Sequence, residues 1–324
     1  MTRTIKRPAT REDWLAARRP YIGGSEVAIV LGLSPWKTPV DLWLEKTGRR
    51  TPDDTPSEAM RLGNELEDYA ARRYSEATGR TVRNFGYMIV DDDAHLVADV
   101  DRLVVPEGAS VAAFHDEIRT NRILECKTGA AWEDNEVPAH YQAQGQTYLT
   151  LSGCEVCDFA AVFLAPRRDF RGDLSVVRDD AVGAAIREKV KAWYERHVLG
   201  DTAPEATCEA DCKALWASSR GVEIVVNSVV AAAVDDLRAT ADQIKSLEAH
   251  EEELRTVIMA HMGEADTLVD ATGHKLATWK SPKATAKTDW KAVAAAMDGD
   301  ARFSAAVADN TTEKPGARRF LLAK

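Results

Sequence analysis

The pattern of apolar and polar positions predicts helices first and strands afterwards. Between residues 58 and 78, apolar side chains recur three and four positions apart, which indicates an amphipathic helix that Gly79 ends. Shorter helices are predicted over 14–19, 27–31 and 40–46. Ser25 stands just before the second of these and is its expected N-cap.

Segments rich in β-branched and aromatic residues follow the long helix. Strands are predicted over 81–90, 95–105, 122–127, 156–164 and 169–178. Helices are predicted from Pro138 through Tyr148 to a stop near Gly153, and over 179–198. This order predicts an α/β fold, in which a central mixed sheet is flanked by helices.

A composition change near Gly200 and Pro204 predicts two domains, 1–203 and 204–324. The second is expected to be mainly helical, because 228–262 carries an apolar stripe typical of a coiled coil or helical hairpin. The stripe comprises Leu237, Ala241, Ile244, Leu247, Leu254 and Ile258. Smaller elements are predicted as a β-hairpin over 267–279, a helix over 289–297 and a strand over 318–323.

Charge and cysteine content narrow the functional classes. The formal net charge of −10 argues against a purely electrostatic nucleic-acid binder, although a metal site that concentrates carboxylates remains compatible with it. Five cysteines, an odd number, argue against a disulfide framework and for a reducing compartment. No apolar leader and no membrane-spanning run stand out, so we expect a soluble, cytoplasmic protein without a membrane partner.

The strongest chemical feature is the strand Ile-Leu-Glu-Cys-Lys at 123–127. Successive side chains of a strand alternate between faces, so Glu125 and Lys127 project together while Cys126 faces the other way. A carboxylate and an ammonium fixed in this way can bind a metal ion and hold water beside it. An isolated Glu-x-Lys is more commonly an exposed charge pair, so the interpretation depends on its context.

The context contains further carboxylates. Asp99 and Asp101 stand on a preceding predicted strand, and pairing of that strand with 122–127 would bring Asp101 beside Glu125. Oxygen ligands of this kind suit Mg²⁺, with Mn²⁺ as its substitute, rather than zinc. Glu67 on the long helix is a further candidate carboxylate, and Asp99 ranks behind Asp101 as a ligand.

Three weaker features leave alternatives open. Gln144 can position water or a phosphate, or belong to an ordinary polar helix face. The cysteines Cys154, Cys157, Cys208 and Cys212 suit either a zinc or iron–sulfur site or separate core positions. Basic side chains near Trp279 suit either DNA contacts or a solvated hairpin face; they are Lys275, Lys280, Lys283 and Lys287.

Taken in order along residues 11–200, the motifs resemble those of the phage lambda exonuclease and YqaJ-type viral recombinases. The matching segments are Arg18 with Ile-Gly-Gly-Ser-Glu at 22–26, Gly-Asn-Glu-Leu-Glu at 63–67, Asp-Val-Asp at 99–101, Leu-Glu-Cys-Lys at 124–127 and Gln-Gly-Gln at 144–146. The resemblance implies a PD-(D/E)XK restriction-endonuclease-like core. Arg102 departs from the pattern, because the family often has glycine there.

The resemblance also implies roles for the matching residues. Asp101, Glu125 and the Cys126 carbonyl would hold the metal ion, and Glu67 would serve a second metal ion or its waters. Lys127 would orient the attacking water, and Gln144 would support that water or the scissile phosphate. The implied anchor for a terminal 5′-phosphate is formed by Arg18 and Ser25.

These roles predict a Mg²⁺-dependent 5′-to-3′ exonuclease acting on double-stranded DNA ends. Its 3′ single-stranded tails would serve a single-strand annealing protein in phage-type recombination, and the resemblance implies a ring-like homo-oligomer. The alternatives are another nuclease with the same core, either restriction-like or Cas4-like, and a non-catalytic DNA-binding protein. The intact Asp101, Glu125 and Lys127 argue against the last.

Overall fold

The structure is a computed structural model, and the part that it describes has several gaps. The described residues are 3–51, 57–109, 118–133, 136–166, 168–281, 289–290, 293–294, 297 and 300–310. The chain divides into two compact units, Met1–Leu215 and Trp216–Lys324. The predicted helix over 289–297 is described only in part, with helical backbone at positions 290, 293 and 294, and the predicted strand over 318–323 lies wholly outside the described residues.

Several helices in the first unit begin directly after a residue whose side chain caps them. Thr10 and Thr38 each accept a hydrogen bond from the third residue of the helix that follows, and Ser57 does the same for the longest helix. That helix ends at Gly79, whose φ of 71° suits glycine. The helices are α1 Arg11–Arg18, α2 Gly24–Val30, α3 Pro39–Lys46, α4 Glu58–Thr78, α5 Ala139–Ser152, α6 Asp180–Trp193 and α7 Glu209–Leu215.

Nine strands of the first unit form two sheets. The four-stranded sheet has the order β1-β4-β5-β2, with β1 Arg3–Lys6, β2 Ile22–Gly23, β4 Met88–Asp91 and β5 Leu96–Asp99. The five-stranded sheet has the order β3-β6-β7-β8-β9, with β3 Val82–Asn84, β6 Arg102–Val104, β7 Arg122–Ala130, β8 Val156–Ala165 and β9 Asp169–Val177. Both sheets combine parallel and antiparallel pairs, so the predicted mixed α/β architecture is confirmed.

Two of the predicted strands are not continuous in the structure. Each of the predicted strands 81–90 and 95–105 is divided in two, and the two halves join different sheets. The first divides near Gly86, whose φ of 67° turns the backbone away from an extended path. The second divides at residues 100–101, so that Asp101 lies in the gap between β5 and β6.

The side chains of β7 face alternately the hydrophobic core and the candidate site. Leu124 is fully buried with Ala71 and Tyr74 of α4, and Cys126 packs against the same cluster. Glu125 lies on the opposite face, where Gln144 of α5 contacts it. The alternation predicted for this strand is therefore confirmed, and it directs Glu125 and Lys127 toward α5.

The second unit contains a long helix, a hairpin and a shorter helix. Helix α8 spans Ser228–Met262, strands β10 Thr267–Val269 and β11 Lys275–Thr278 pair antiparallel, and α9 spans Ala301–Asn310. The predicted bounds of the long helix and the predicted hairpin are confirmed. Across both units, no helix in the described part of the chain is long and apolar enough to cross a membrane.

Candidate active site

Two carboxylates meet where β6 and β7 begin to pair. The pairing of Arg102 with Leu124 places Asp101, one residue before β6, beside Glu125 and Cys126. The Cys126 amide donates a 2.8 Å hydrogen bond to Oδ2 of Asp101, and the Asp101 amide lies 3.4 Å from Oε1 of Glu125. Adjacent strands therefore bring together the aspartate and the glutamate that were predicted to share a site.

Lys127 and Gln144 complete the contacts of Glu125. Lys127 Nζ and Gln144 Nε2 each lie 2.9 Å from Oε2 of Glu125. Gln144 Nε2 also lies 3.1 Å from the hydroxyl oxygen of Tyr148, one helical turn further along α5. We name Asp101, Glu125, Lys127 and Gln144 the carboxylate–lysine cluster.

Burial makes the charged form of the two carboxylates in this cluster unfavourable. Glu125 is only 1% exposed, and burial together with the Asp101 carboxylate raises its pKa to about 8. Burial also raises the pKa of Asp101, although Lys127 opposes that shift. Burial favours the neutral form of Lys127, but the neighbouring carboxylates outweigh it and raise the pKa of this side chain, so it stays protonated. One ammonium thus faces two buried carboxylates, an arrangement that an added cation would stabilise.

The donor set fits a hard divalent cation. Asp101 and Glu125 supply carboxylate oxygens. The Cys126 amide points at Asp101, and because the N–H and C=O of one strand residue point to the same edge, its carbonyl faces that edge too. Within the described ranges, however, no group of three or more His, Cys, Asp or Glu side chains converges on one point.

Glu67 is held by Arg102 rather than by the cluster. The Arg102 guanidinium lies 2.5 Å from Oε1 of Glu67 and 2.6 Å from Oδ1 of Asp68, and its side chain is almost fully buried. It also donates a 2.7 Å hydrogen bond to the Asp101 carbonyl. The residue that departs from the family pattern therefore contacts one of the predicted ligands directly.

Asp99 faces a different set of side chains from Asp101. The Trp14 side chain donates a hydrogen bond to it, and Arg18 and Arg11 lie close enough to favour its charged form. Burial dominates these effects and raises the pKa of Asp99. The side chains that act on Asp99 lie mainly on α1, with the Glu67 carboxylate of α4 also near enough to oppose its charge.

The prediction that Ser25 caps α2 was wrong. The helix begins at Gly24, and Gly23 in an extended conformation is its N-cap. The Glu26 carboxylate accepts a 2.7 Å hydrogen bond from the Gly23 amide, so a negative charge of the protein already occupies part of this helix start. Ser25 lies in the first turn, where its side chain is exposed.

Arg18 reaches this region from the end of α1. Its guanidinium lies over the Trp14 ring at 5.1 Å and against the Gly23 backbone. A Cβ atom at Gly23 would lie 2.3 Å from Nη2 of Arg18, and one at Gly24 would lie 2.2 Å from the Tyr148 ring. At Gly24 the buried Tyr148 ring leaves no room for a side chain, whereas a side chain at Gly23 would have to displace the flexible end of Arg18.

Sequence reasoning missed Tyr148 and the role of the two glycines. Tyr148 contacts Gln144 through its hydroxyl and Gly24 through its ring, so it connects the Arg18 region to the carboxylate–lysine cluster. Burial and Glu125 raise the pKa of Tyr148, which keeps its hydroxyl neutral. The available signal was the four-residue spacing from Gln144, which places both side chains on one helix face.

The four cysteines of the candidate zinc or iron–sulfur site and the basic side chains near Trp279 are not among the contacts described for the carboxylate–lysine cluster. All five cysteines are free; Cys154 and Cys157 are buried in the core, whereas Cys208 and Cys212 are exposed. Two arginines outside the cluster pair with acidic side chains, Arg49 with Asp201 and Arg171 with Asp173. Of the basic side chains near Trp279, positions 283 and 287 lie outside the described residues.

An α/β core that presents an aspartate, a glutamate and a lysine on adjacent strands defines the PD-(D/E)XK class of nuclease enzymes. Residues 13–155 match the family model described as the YqaJ-like viral recombinase domain. The chain is also 30% identical over 282 residues to the uncharacterized protein YqaJ of Bacillus subtilis (strain 168), covering 84% of this chain and 83% of that protein. The chain belongs to the YqaJ-like viral recombinase family.

Solved structures of exonucleases are more distantly similar. The alkaline exonuclease LHK-Exo from Laribacter hongkongensis has 26% identity and a TM-score of 0.45, covering 58% of this chain and 93% of that chain. LHK-Exo in complex with dAMP has 25% identity and a TM-score of 0.46, with the same coverage. A phage-related exonuclease from Haemophilus somnus 129PT has 14% identity and a TM-score of 0.39, covering 56% and 96%. Family membership rests on the sequence matches.

Proposed function

We propose that this protein is a Mg²⁺-dependent exonuclease that digests the 5′-ended strand of double-stranded DNA. The observation that carries the proposal is the buried carboxylate–lysine cluster in a chain of this family. Metal dependence is general among nucleases of this type, and the oxygen donors favour Mg²⁺, with Mn²⁺ as a substitute.

Each residue of the cluster has a distinct task in the proposed mechanism. Asp101, Glu125 and the Cys126 carbonyl would hold the cation, which when bound activates water and stabilises the charge that develops on the phosphate. Lys127 holds its protons and donates one hydrogen bond to Glu125, so its remaining donors would orient the attacking water. Gln144 donates to Glu125, which fixes the carboxylate and would keep the amide beside the scissile phosphate.

We propose that Glu67 serves a second cation or its waters, and that Arg102 regulates its availability. The guanidinium pairs with Glu67 and adds a fixed positive charge near Asp101. Since like charges repel, this positive charge weakens cation binding at the cluster.

Replacing Arg102 by glycine should therefore strengthen cation binding. We expect the affinity for Mn²⁺, measured by calorimetry, to rise about tenfold, because one positive charge is removed and Glu67 is released. Arg73→Gly is the matched control, since Arg73 lies on α4 and pairs with Glu76 away from the cluster. Adding Glu67→Gln to Arg102→Gly should remove part of the gain. Equal affinity in Arg102→Gly and the native protein would contradict the assigned role.

The end-recognition site is proposed to consist of the Arg18 guanidinium and the Ser25 hydroxyl. A terminal 5′-phosphate carries more charge than an internal phosphodiester, and a guanidinium can bind it through two hydrogen bonds. Arg18 is close to the cluster, because Gly23, Gly24 and Tyr148 form a continuous set of contacts between them. The start of α2 is not included in this site, because the Glu26 carboxylate already accepts the hydrogen bond of the Gly23 amide.

One assay tests this function. Linear duplex DNA labelled at either 5′ or 3′ ends and covalently closed circular DNA are incubated with the full chain, with and without Mg²⁺. We expect Mg²⁺-dependent loss of the 5′ label from linear duplex, retention of the 3′-ended strand and intact circles. Equal cleavage of circles would replace the exonuclease by a restriction-like or Cas4-like endonuclease. Cleavage of neither substrate would indicate a non-catalytic DNA-binding protein.

The same assay measures the contribution of Arg18. Losing one charge-assisted contact costs about 1.5–3 kcal/mol, so Arg18→Ala should slow cleavage of 5′-phosphorylated ends roughly ten- to a hundredfold. The loss should be much smaller on 5′-hydroxyl ends, where the contact is already missing. Arg19→Ala, an exposed neighbour, is the matched control. An equal loss on both end types would make Arg18 a structural or general phosphate-binding residue.

The proposed product determines the proposed partners. Removal of the 5′-ended strand leaves a 3′ single-stranded tail, which a single-strand annealing protein would bind during phage-type recombination. A ring-like homo-oligomer around the duplex is proposed from the family resemblance.

A further inference from the structure

Helix α8 exposes a long apolar stripe. The helix has 35 residues and is therefore about 50 Å long at 1.5 Å per residue. Its large apolar side chains are exposed to extents that a helix in water does not normally tolerate along one side. They are Leu237 at 43%, Ile244 at 52%, Leu247 at 68%, Leu254 at 51% and Ile258 at 41%.

The stripe follows a seven-residue repeat. In heptad notation, the a positions are Val230, Leu237, Ile244, Glu251 and Ile258, and the d positions are Ala233, Thr240, Leu247, Leu254 and His261. Charged and small polar residues fill most of the outward positions, among them Asp235, Arg238, Asp242 and Lys245. An a/d repeat over more than four heptads is typical of helices that pair in a coiled coil.

We propose that α8 pairs with α8 of a second copy of this chain as an antiparallel coiled coil. Antiparallel pairing sets each a position against a d position of the other helix. With the axis between Ile244 and Leu247, Ile244 faces the partner's Leu247 and Leu237 faces the partner's Leu254. The small Ala233 faces the larger Ile258 of the partner subunit, so side-chain volumes alternate across the seam.

The polar positions select this arrangement over a parallel one. In parallel register, Glu251 would face the partner's Glu251 within the seam, which places like charges in contact. In the antiparallel arrangement, Glu251 instead faces Thr240 of the partner subunit. Glu251 also keeps its 2.7 Å ion pair with Arg255 at the edge of the stripe. Two copies of α8 therefore fit each other better in the antiparallel than in the parallel orientation.

The mass of the full-length protein in solution tests the contact. Ile244→Asp places a charge in both central layers, so we expect the dissociation constant of the contact between two α8 helices to rise at least about a hundredfold, as measured by sedimentation equilibrium of the full-length protein. Ser246→Asp, which adds the same charge at an outward position of the same turn, should leave the dissociation constant unchanged. A native protein that is monomeric at micromolar concentration, or one whose assembly Ile244→Asp does not weaken, would overturn the proposal.

A pair of substitutions at Thr240 tests the direction. Opposite the partner's Glu251, Thr240→Lys should tighten the dimer and Thr240→Glu should weaken it, each roughly tenfold because the contact occurs twice. In a parallel coiled coil Thr240 would face its own copy, so both substitutions would weaken the dimer. Weakening by both, or an effect of neither, would overturn the antiparallel arrangement.

Discussion

Replacing Glu125 by glutamine, or Asp101 by asparagine, is expected to reduce cleavage by at least about a thousandfold while leaving the protein folded. Each substitution preserves side-chain shape but removes an anionic ligand from the proposed cation site. DNA binding should largely remain, because contacts with the phosphate backbone lie elsewhere. The measurements are single-turnover cleavage with Mg²⁺ and DNA affinity at one salt concentration.

The same substitution at Glu125 should stabilise the metal-free protein at alkaline pH. Burial raises the pKa of Glu125 to about 8, well above that of an unfolded glutamate, so the folded state holds this proton longer. The native protein should therefore lose stability as the pH rises from about 4.5 to 8. Glutamine has no proton to lose, so Glu125→Gln should be more stable at pH 8.5, on the order of 1–3 kcal/mol.

Thermal unfolding with a chelator at pH 5.5 and 8.5 separates this effect from a general change in packing. The stability gain should be largest at pH 8.5 and much smaller at pH 5.5, and saturating Mg²⁺ should reduce it by stabilising the native protein. Glu65→Gln, at an exposed position of α4, is the control and should change neither cleavage nor stability. Full cleavage by Glu125→Gln or Asp101→Asn would contradict the proposed cation site.

Replacing Lys127 by alanine is expected to lower the single-turnover rate about a hundred- to ten-thousandfold. Its ammonium donates to Glu125 without being a metal ligand, and the surrounding carboxylates keep it protonated. Loss of this donor should misplace the attacking water, whereas the carboxylates and the Cys126 carbonyl would still hold the cation. Mn²⁺ affinity should consequently not fall, which calorimetry can measure independently of activity.

Lys127→Arg tests whether charge alone is sufficient. Arginine keeps the positive charge but carries a larger, planar set of donors, so we expect only partial recovery of the rate. A Lys127→Ala variant with a normal single-turnover rate would remove this residue from the chemistry. A variant whose cation affinity falls as much as its rate would give the lysine a structural role.

Local patterns were sufficient for the elements that the chain encodes within a few residues. The bounds of α4 and α8 follow from an apolar stripe with a capping residue at one end and a glycine at the other. The opposite orientation of Glu125 and Cys126 follows from the two-residue period of a strand. Ser25 was misplaced because glycine caps by backbone conformation alone, which leaves no side-chain signal.

By itself, the sequence determined the class of the fold and a set of candidate residues that the structure brings together, because helix and strand periods and short motifs are local properties. The tertiary structure decided which distant residues meet. Tyr148 contacts the carboxylate–lysine cluster, Arg102 pairs with Glu67, and two of the predicted strands are each divided between two sheets. These outcomes depend on contacts between residues far apart in the chain, where packing and burial select among many pairings that local sequence leaves equally favourable.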